Sequence, residues 1–457
     1  MMLVKLSPLW VVALTVACGG SDKPAAVPGD GGGAANQAGS SNAADGGKGN
    51  AGKGSGGKAS GGNASGGNSS GGNASGGTPS SDGGVENAGG TMPGGGVGHA
   101  GMPPTTVAEG TPGEWVNVTP AGIKLGQNDV GGMDNYGVQD VLADPARPGD
   151  LYAFVCYQGL WRSTDYGTTW TQVNKGDNWG KPWGSAIDPN PKRDPTVAPT
   201  IYAGVSGALG FLKSVDFGKT FSTQKMPDSF GDYHYQEVYS VDIDPYDVKH
   251  ALVGFHEQGD AAETTDGGST WKKRPTPPED DGGSYYPFFI DTGDAATTAK
   301  TWLVIPQEAS TAYAVQTVDA GATWTKLGKF QHHHGSAQIF SPGMSVVYMA
   351  AMQPSGIQKS IDGGVTWKQL SDISDGLITG SDKLLYVSVG KGWGSMAEPL
   401  DAQMGTASRT ADGKWDAMKA PSGMFDGSKR IAVTKDATHS IIVAGNWHAG
   451  IWRYIEP

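Results

Sequence analysis

The chain has 457 residues but only two cysteines, Cys18 and Cys156. An exported domain built on it has no disulfide framework, so its core and its hydrogen-bond ladders must hold it together. Long apolar runs are also missing. The longest near the start, Leu9 to Ala17, is too short to be a stable membrane span and follows a single lysine, Lys5, which together read as a secretory signal. Residues 19–110 contain no Phe, Trp or Tyr and hold 32 of the chain's 74 glycines, so they cannot bury a core and read as a flexible tether. A coil of that length has an end-to-end distance of about 50–60 Å. Positive charge is scarce as well: the net charge of −12 argues against a nucleic-acid partner. Helical periodicity is not convincing anywhere.

What the remaining 347 or so residues, 111–457, do contain is repetition. The octet "STDYGTTW" (163–170) returns as "SVDFGKTF" (214–221), "TTDGGSTW" (264–271), "TVDAGATW" (317–324) and "SIDGGVTW" (360–367), and a decayed copy, "TADGKW", ends at Trp415. The terminal aromatics lie 51, 50, 53, 43 and 48 residues apart. Apolar strands such as "LYAFV" and "IYAGV" precede each octet, and a period near fifty made of short strands is the length of a propeller blade. An aspartate needed in every repeat is a turn residue rather than a reactive one. It accepts backbone amides, the glycine takes a positive φ, and the aromatic packs between sheets. Asp165, Asp216, Asp266, Asp319, Asp362 and Asp412 are therefore assigned structural roles.

The repeated pattern S-x-D-x-G-x-T-W resembles the Asp-box or BNR propellers, among them sialidases, sortilin-type receptors, family 74 xyloglucanases and photosystem assembly factors. The resemblance implies an all-β fold with the octets on the turn between third and fourth strands, on the face away from the active site. The last repeat, "RIAVTKDATHSIIVAGNWHAGIWRY", supplies three strands and no octet, while "GEWVNV" (113–118) looks like a fourth strand without its blade. Trp115–Val118 is expected to complete the last sheet and close a seven-bladed β-propeller over 111–457. The Ala17-Cys18 junction resembles a bacterial lipobox, which implies a lipoprotein-type signal over 1–18, lipidation at Cys18, and an outer-membrane or cell-surface location. A plain secretory signal is the alternative.

With the octets on one face, the opposite mouth is built from loops that carry six of the nine histidines together with Tyr, Trp, Asp and Glu. Asp232, Tyr233, Tyr235, Trp179, Trp183, Trp393, Trp447 and His448 offer rings and polar groups suited to sugars. Propeller mouths are polar in any case, and tryptophans there also wedge between blades. Glu257 with Asp232 or Glu237 could act as the acid and base of a glycosidase. His234, with Tyr233 or Tyr235, could abstract a sugar proton as a lyase does, and His256 and Glu257 lie where loops of the third and fifth blades converge. No cofactor is required, although His332 and His334, with His256, could hold a divalent metal. Cys156 reads as a packed thiol. The sialidases that the octets resemble grip a carboxylate with three arginines, and the arginines here fall mostly on third strands or on the octet side. The resembling family 74 enzymes place their aspartates between two propellers, where this sequence provides one. The expectation is a monomeric, surface-tethered propeller that binds extracellular polysaccharide, with cleavage left open. The alternative is a non-enzymatic receptor or assembly factor for a protein.

Overall fold

The computed structural model describes residues 106–457 except 132–134, 177–178, 207–209, 225, 228–236, 257, 277–283, 308–312, 329, 331–337, 344, 352–355, 372–375, 390–402, 426–427 and 429. They belong to one compact unit, residues 83–457. Among the described residues the chain forms 28 strands, grouped in seven four-stranded antiparallel sheets. A short strand, β1 (Trp115–Asn117), comes first. Blade one is β2 (Val138–Ala143), β3 (Leu151–Val155), β4 (Gly159–Ser163) and β5 (Thr171–Asn174). Blade two is β6 (Pro182–Ile187), β7 (Ile201–Val205), β8 (Phe211–Ser214) and β9 (Ser222–Gln224). Blade three is β10 (Val238–Asp244), β11 (Asp247–Phe255), β12 (Asp260–Thr264) and β13 (Lys272–Pro275). Blade four is β14 (Tyr285–Phe289), β15 (Trp302–Pro306), β16 (Val315–Thr317) and β17 (Thr325–Lys326), with one helical turn, α1 (Ala295–Thr298), after its first strand. Blade five is β18 (Ile339–Gly343), β19 (Val346–Ala350), β20 (Ile357–Ser360) and β21 (Lys368–Ser371). Blade six is β22 (Gly376–Gly380), β23 (Leu384–Val389), β24 (Gln403–Ser408) and β25 (Asp416–Met418). Blade seven is β26 (Arg430–Lys435), β27 (Ser440–Asn446), β28 (Gly450–Ile455) and, from the other end of the chain, β1.

The first strands line the axis. β2 packs on β26 and β6, β10 on β6 and β14, and β22 on β18 and β26. Between blades four and five the ring is continued by Phe288, Ile290, Leu303, Ile339, Val347 and Met349. Inner strands are covered on both faces, which is why they read as unbroken apolar runs, whereas fourth strands such as "TQVN" are half exposed. Closure follows expectation: Trp115 pairs with Tyr454, Val116 with Arg453 and Asn117 with Trp452, so β28 presents no free edge.

The octets are turns from third to fourth strand, as expected. In the first, Asp165 Oδ1 accepts the Thr169 amide at 2.9 Å and the Ser163 hydroxyl at 2.7 Å, and Oδ2 accepts the Thr169 hydroxyl at 2.6 Å. The same set recurs around Asp216, Asp266, Asp319 and Asp362. Positions four and five take positive φ, from 58° and 77° at Ala320 and Gly321 to 75° and 93° at Gly267 and Gly268, so glycine is favoured there.

The sixth octet departs from this. Counting back from Trp415 puts Thr410 in the aspartate's place and Asp412 where the others have glycine. Thr410 pairs with the Ser408 hydroxyl at 2.9 Å, and the Asp412 carboxylate turns to the neighbouring blade, accepting Tyr348 Oη at 2.7 Å and pairing with Lys359. The assignment of Asp412 as a turn cap is therefore corrected: its carboxylate ties blade six to blade five.

A second aspartate recurs at the turn from first to second strand. Asp144, Asp188, Asp244, Asp291 and Asp436 each accept the amide two residues on, at 2.7–3.0 Å. Both aspartate series lie on the same face of the ring, leaving the second-to-third loops and the connections between blades to form the mouth.

Candidate functional site

The mouth begins with an irregularity of the inner strands. In blades one, two and three the pairing of the first strand with the second skips a residue: Gln139 between Val138 and Asp140, Trp183 between Pro182 and Gly184, and Tyr239 between Val238 and Ser240. Such bulges add one residue and re-aim its side chain. Two of them bring rings together, Trp183 and Tyr239 lying 4.9 Å apart between centroids.

Tyr136 continues the row. Asn135, fully buried, donates to the carbonyls of Lys124 at 3.0 Å and Gly126 at 2.8 Å, and its own carbonyl accepts from His448 Nε2 at 2.7 Å. The Val138 amide bonds to Trp447 O at 3.1 Å, and at Gly137 (φ 69°) a Cβ would sit 2.4 Å from that same carbonyl, so only glycine lets the two chains approach this closely. Tyr136 is thereby held 5.1 Å from Trp447 and 5.4 Å from Trp183, with Lys181 Nζ 5.5 Å and 5.9 Å from the Tyr136 and Trp183 rings.

At the other end of the row, His256 stacks nearly parallel on Tyr239, with centroids 4.5 Å apart and an interplanar angle of 13°. Its Nδ1 lies 2.6 Å from Glu237 Oε2, and its backbone amide donates to Glu237 O at 3.0 Å. The His256 and Glu237 side chains are 22% and 19% exposed. The rings of Trp447, Tyr136, Trp183, Tyr239 and His256 thus form a continuous row over blades seven, one, two and three. Trp447, Trp183 and Tyr239 are buried and form its foundation, while Tyr136, Lys181, Glu237 and His256 reach solvent.

Below the row, buried carboxyls bridge the inner strands. Asp140 accepts the Ser185 amide at 3.0 Å and its hydroxyl at 2.7 Å, with Arg430 Nε 3.4 Å from its other oxygen. Asp242 accepts the Phe289 amide at 2.7 Å. Burial pushes Asp242 up to about 8 and raises Asp140 too, although Arg430 and the amides pull both down. Burial thus favours the protonated form of Asp242.

The structure brings together four of the residues singled out in the sequence: Glu237, His256, Trp183 and Trp447. His448 is buried as a latch between blade seven and the Asn135 loop. Trp179 lies elsewhere, wedged between blades one and two against Phe221 (4.7 Å, edge-on) and Phe154 (6.0 Å). Asp232, Tyr233, His234, Tyr235, Glu257, His332, His334, Trp393 and Cys18 lie outside the described residues. Among the described residues, no group of three or more His, Cys, Asp or Glu is placed to hold a metal ion. Sequence reasoning missed Tyr136, Tyr239 and the Asp140, Asp242 and Arg430 set. A pentapeptide such as "VYSVD" reads as an ordinary strand, and nothing in it announces a bulge.

No family model matches the chain. It is 30% identical over 173 residues to a xyloglucanase of Acetivibrio thermocellus, covering 31% of this chain and 20% of that protein. It is 26% identical over 294 residues to a xyloglucanase of Hypocrea jecorina, covering 57% and 29%. The chain thus spans less than a third of either relative. Among solved structures it superposes on the GH74 xyloglucanase from Xanthomonas campestris with a TM-score of 0.50 at 18% identity, over 74% of this chain and 53% of that one. That likeness is one of fold: a β-propeller.

Proposed function

We propose that this propeller binds extracellular polysaccharide at the mouth over blades seven, one, two and three, while Cys18 carries a lipid that holds the protein on the outer membrane or cell surface. The observation that supports the site is the row of rings ending in the paired His256 and Glu237. Aromatic faces stack against the C–H faces of sugars, and imidazole, carboxylate and ammonium groups serve their hydroxyls. A ligand meets Tyr136, Lys181, Glu237 and His256, with the buried tryptophans holding the first of these in place. The partial identity to proteins named xyloglucanases favours a glycan over a protein as the partner. The His256 and Glu237 pair also has the make-up of a proton-transfer group, a carboxylate orienting an imidazole, so turnover belongs in the test.

Binding to a panel of soluble polysaccharides by calorimetry, with reducing-end and unsaturated-product assays alongside, tests the reading. Tyr136→Ala and His256→Ala should each weaken binding by the folded protein about tenfold, equivalent to roughly 1.4 kcal/mol. Wild-type affinity in both variants, or high-affinity capture of a protein with no saccharide bound, would overturn the proposal.

A further inference from the structure

The path of the chain into the ring fixes which face lies nearer its N-terminal side. β28 leaves the mouth at Gly450 and reaches the octet face at Ile455, and β1 runs antiparallel to it, from Trp115 opposite Tyr454 to Asn117 opposite Trp452. The chain therefore arrives at the octet face and climbs to the mouth. Residues 106–113 confirm the point of arrival by their bonds. Thr106 O accepts the Ala437 amide at 3.0 Å, and Thr106 Oγ1 lies 3.0 Å from Tyr166 Oη. The Ala108 amide donates to Asp436 Oδ2 at 2.7 Å, Glu109 O accepts from Arg453 Nη1 at 2.8 Å, and the Gly113 amide donates to Ile455 O at 2.8 Å. Tyr166 belongs to the first octet and Asp436 to the first-to-second turn of blade seven, so each of these partners is on or next to the octet face. The strap is anchored on both the last blade and the first.

We infer that the octet face is the membrane-proximal side of this protein and that the mouth opens away from the surface that carries it. The inference rests on the lipid-anchored reading above. It favours a polymer arriving from the medium, because the tether, with a reach of about 50–60 Å, enters on the face opposite Tyr136 and His256, so a component of the carrying membrane reaches them only when the domain turns over. It also assigns the glycine-rich segment a role in reach, since the mouth stays open even when that segment is short.

Single cysteines introduced into the full chain test this, as Cys156 is buried and a lipidated Cys18 does not react with maleimides. Asn128→Cys marks the exposed loop on the mouth side, and Ile361→Cys marks the octet face, where Ile361 is 70% exposed. Each is compared with and without residues 26–95, a deletion that shortens the tether to about 20–25 Å. On intact membranes a polymer-bearing maleimide should label Asn128→Cys within roughly twofold of its rate in detergent, whatever the tether. Ile361→Cys should be slowed about fivefold by the deletion and recover in detergent, as expected once the tether is shorter than the reagent. Equal rates at both sites with the short tether, or slowing at Asn128→Cys instead, would overturn the inference. A wild-type protein that does not sediment with membranes would count against the anchor alone. Coupling the purified chain to beads through its N-terminus then repeats the same comparison, with the same outcomes deciding it.

Discussion

Arg453→Met isolates the group that locks the ring shut. Arg453 is 3% exposed; its Nε donates to Tyr166 O at 2.7 Å and its Nη1 to Glu109 O at 2.8 Å. The sequence explains its position: "GIWR" in β28 repeats the "GLWR" of β4, and in four blades the residue ahead of the octet reaches for the next blade. Arg162 lies over the Phe217 ring at 4.5 Å, Lys213 donates to Gly267 O at 3.2 Å, Gln316 donates to Gly363 O, and Lys359 pairs with Asp412. In blade three Glu263 holds this place and binds His250 and Arg274 instead. Methionine keeps the aliphatic packing but donates no bond. Tyr166 O, on a buried residue, then costs about 1–3 kcal/mol, whereas Glu109 is exposed and its carbonyl recovers water at little cost. Relief from burying a guanidinium offsets part of this. The net expectation is a loss of about 1–2 kcal/mol, read from urea unfolding at constant m-value. Lys213→Met, whose donor is more exposed, should cost under about 1 kcal/mol. If Arg453→Met falls within about 0.5 kcal/mol of wild type, or costs no more than Lys213→Met, the lock reading fails.

Asp165→Ala removes three accepted bonds, but Thr169 is exposed and its amide turns to water, so the loss should be about 1 kcal/mol, with the proposed binding at the mouth intact; loss of binding at full stability would refute its structural role. Stability should also fall on alkalinisation. Burial pulls His250 down, but its bonds to Asp244 and Glu263, both 2.9 Å, outweigh this and hold it at about 9. A raised folded-state value means the contribution, on the order of 2–3 kcal/mol, is complete below the unfolded value near 6.5 and is lost as pH rises through about 9. Unfolding midpoints that are flat from pH 7 to 10, or that fall equally in His250→Gln, would contradict this assignment.

The ring was legible in the sequence because its instructions are local and repeated. Each octet carries its own cap, its own left-handed glycine and its own packing aromatic, so five copies announce five turns, and the spacing between them leaves room for one sheet each. Even the closure could be read, since "GEWVNV" has the pattern of a fourth strand and the last repeat lacks one. Asp412 shows the limit of motif matching. The letters "ADG" look like the octet's centre, yet measured from Trp415 they are displaced by two places, and the carboxylate answers to Lys359 and Tyr348 on another blade.

The mouth was less legible because its geometry is made by contacts between residues far apart in the chain. Tyr136 is set at the mouth because Asn135, three hundred residues from His448, is pinned by it once the ring has closed. Trp183 and Tyr239 meet because two strands bulge at the same height. Histidine with carboxylate pointed to one pair that the structure forms, His256 with Glu237, but the same reasoning counted Trp179, Trp447 and His448 as contact surface. Their burial gives them a different task. Large rings near the axis of a closed ring fill the wedge between converging sheets first. The solvent-facing surface is left to the more polar groups that those rings support. In this mouth, then, the tryptophans are the buried foundation, and the tyrosine, histidine, glutamate and lysine beside them are the groups that reach solvent.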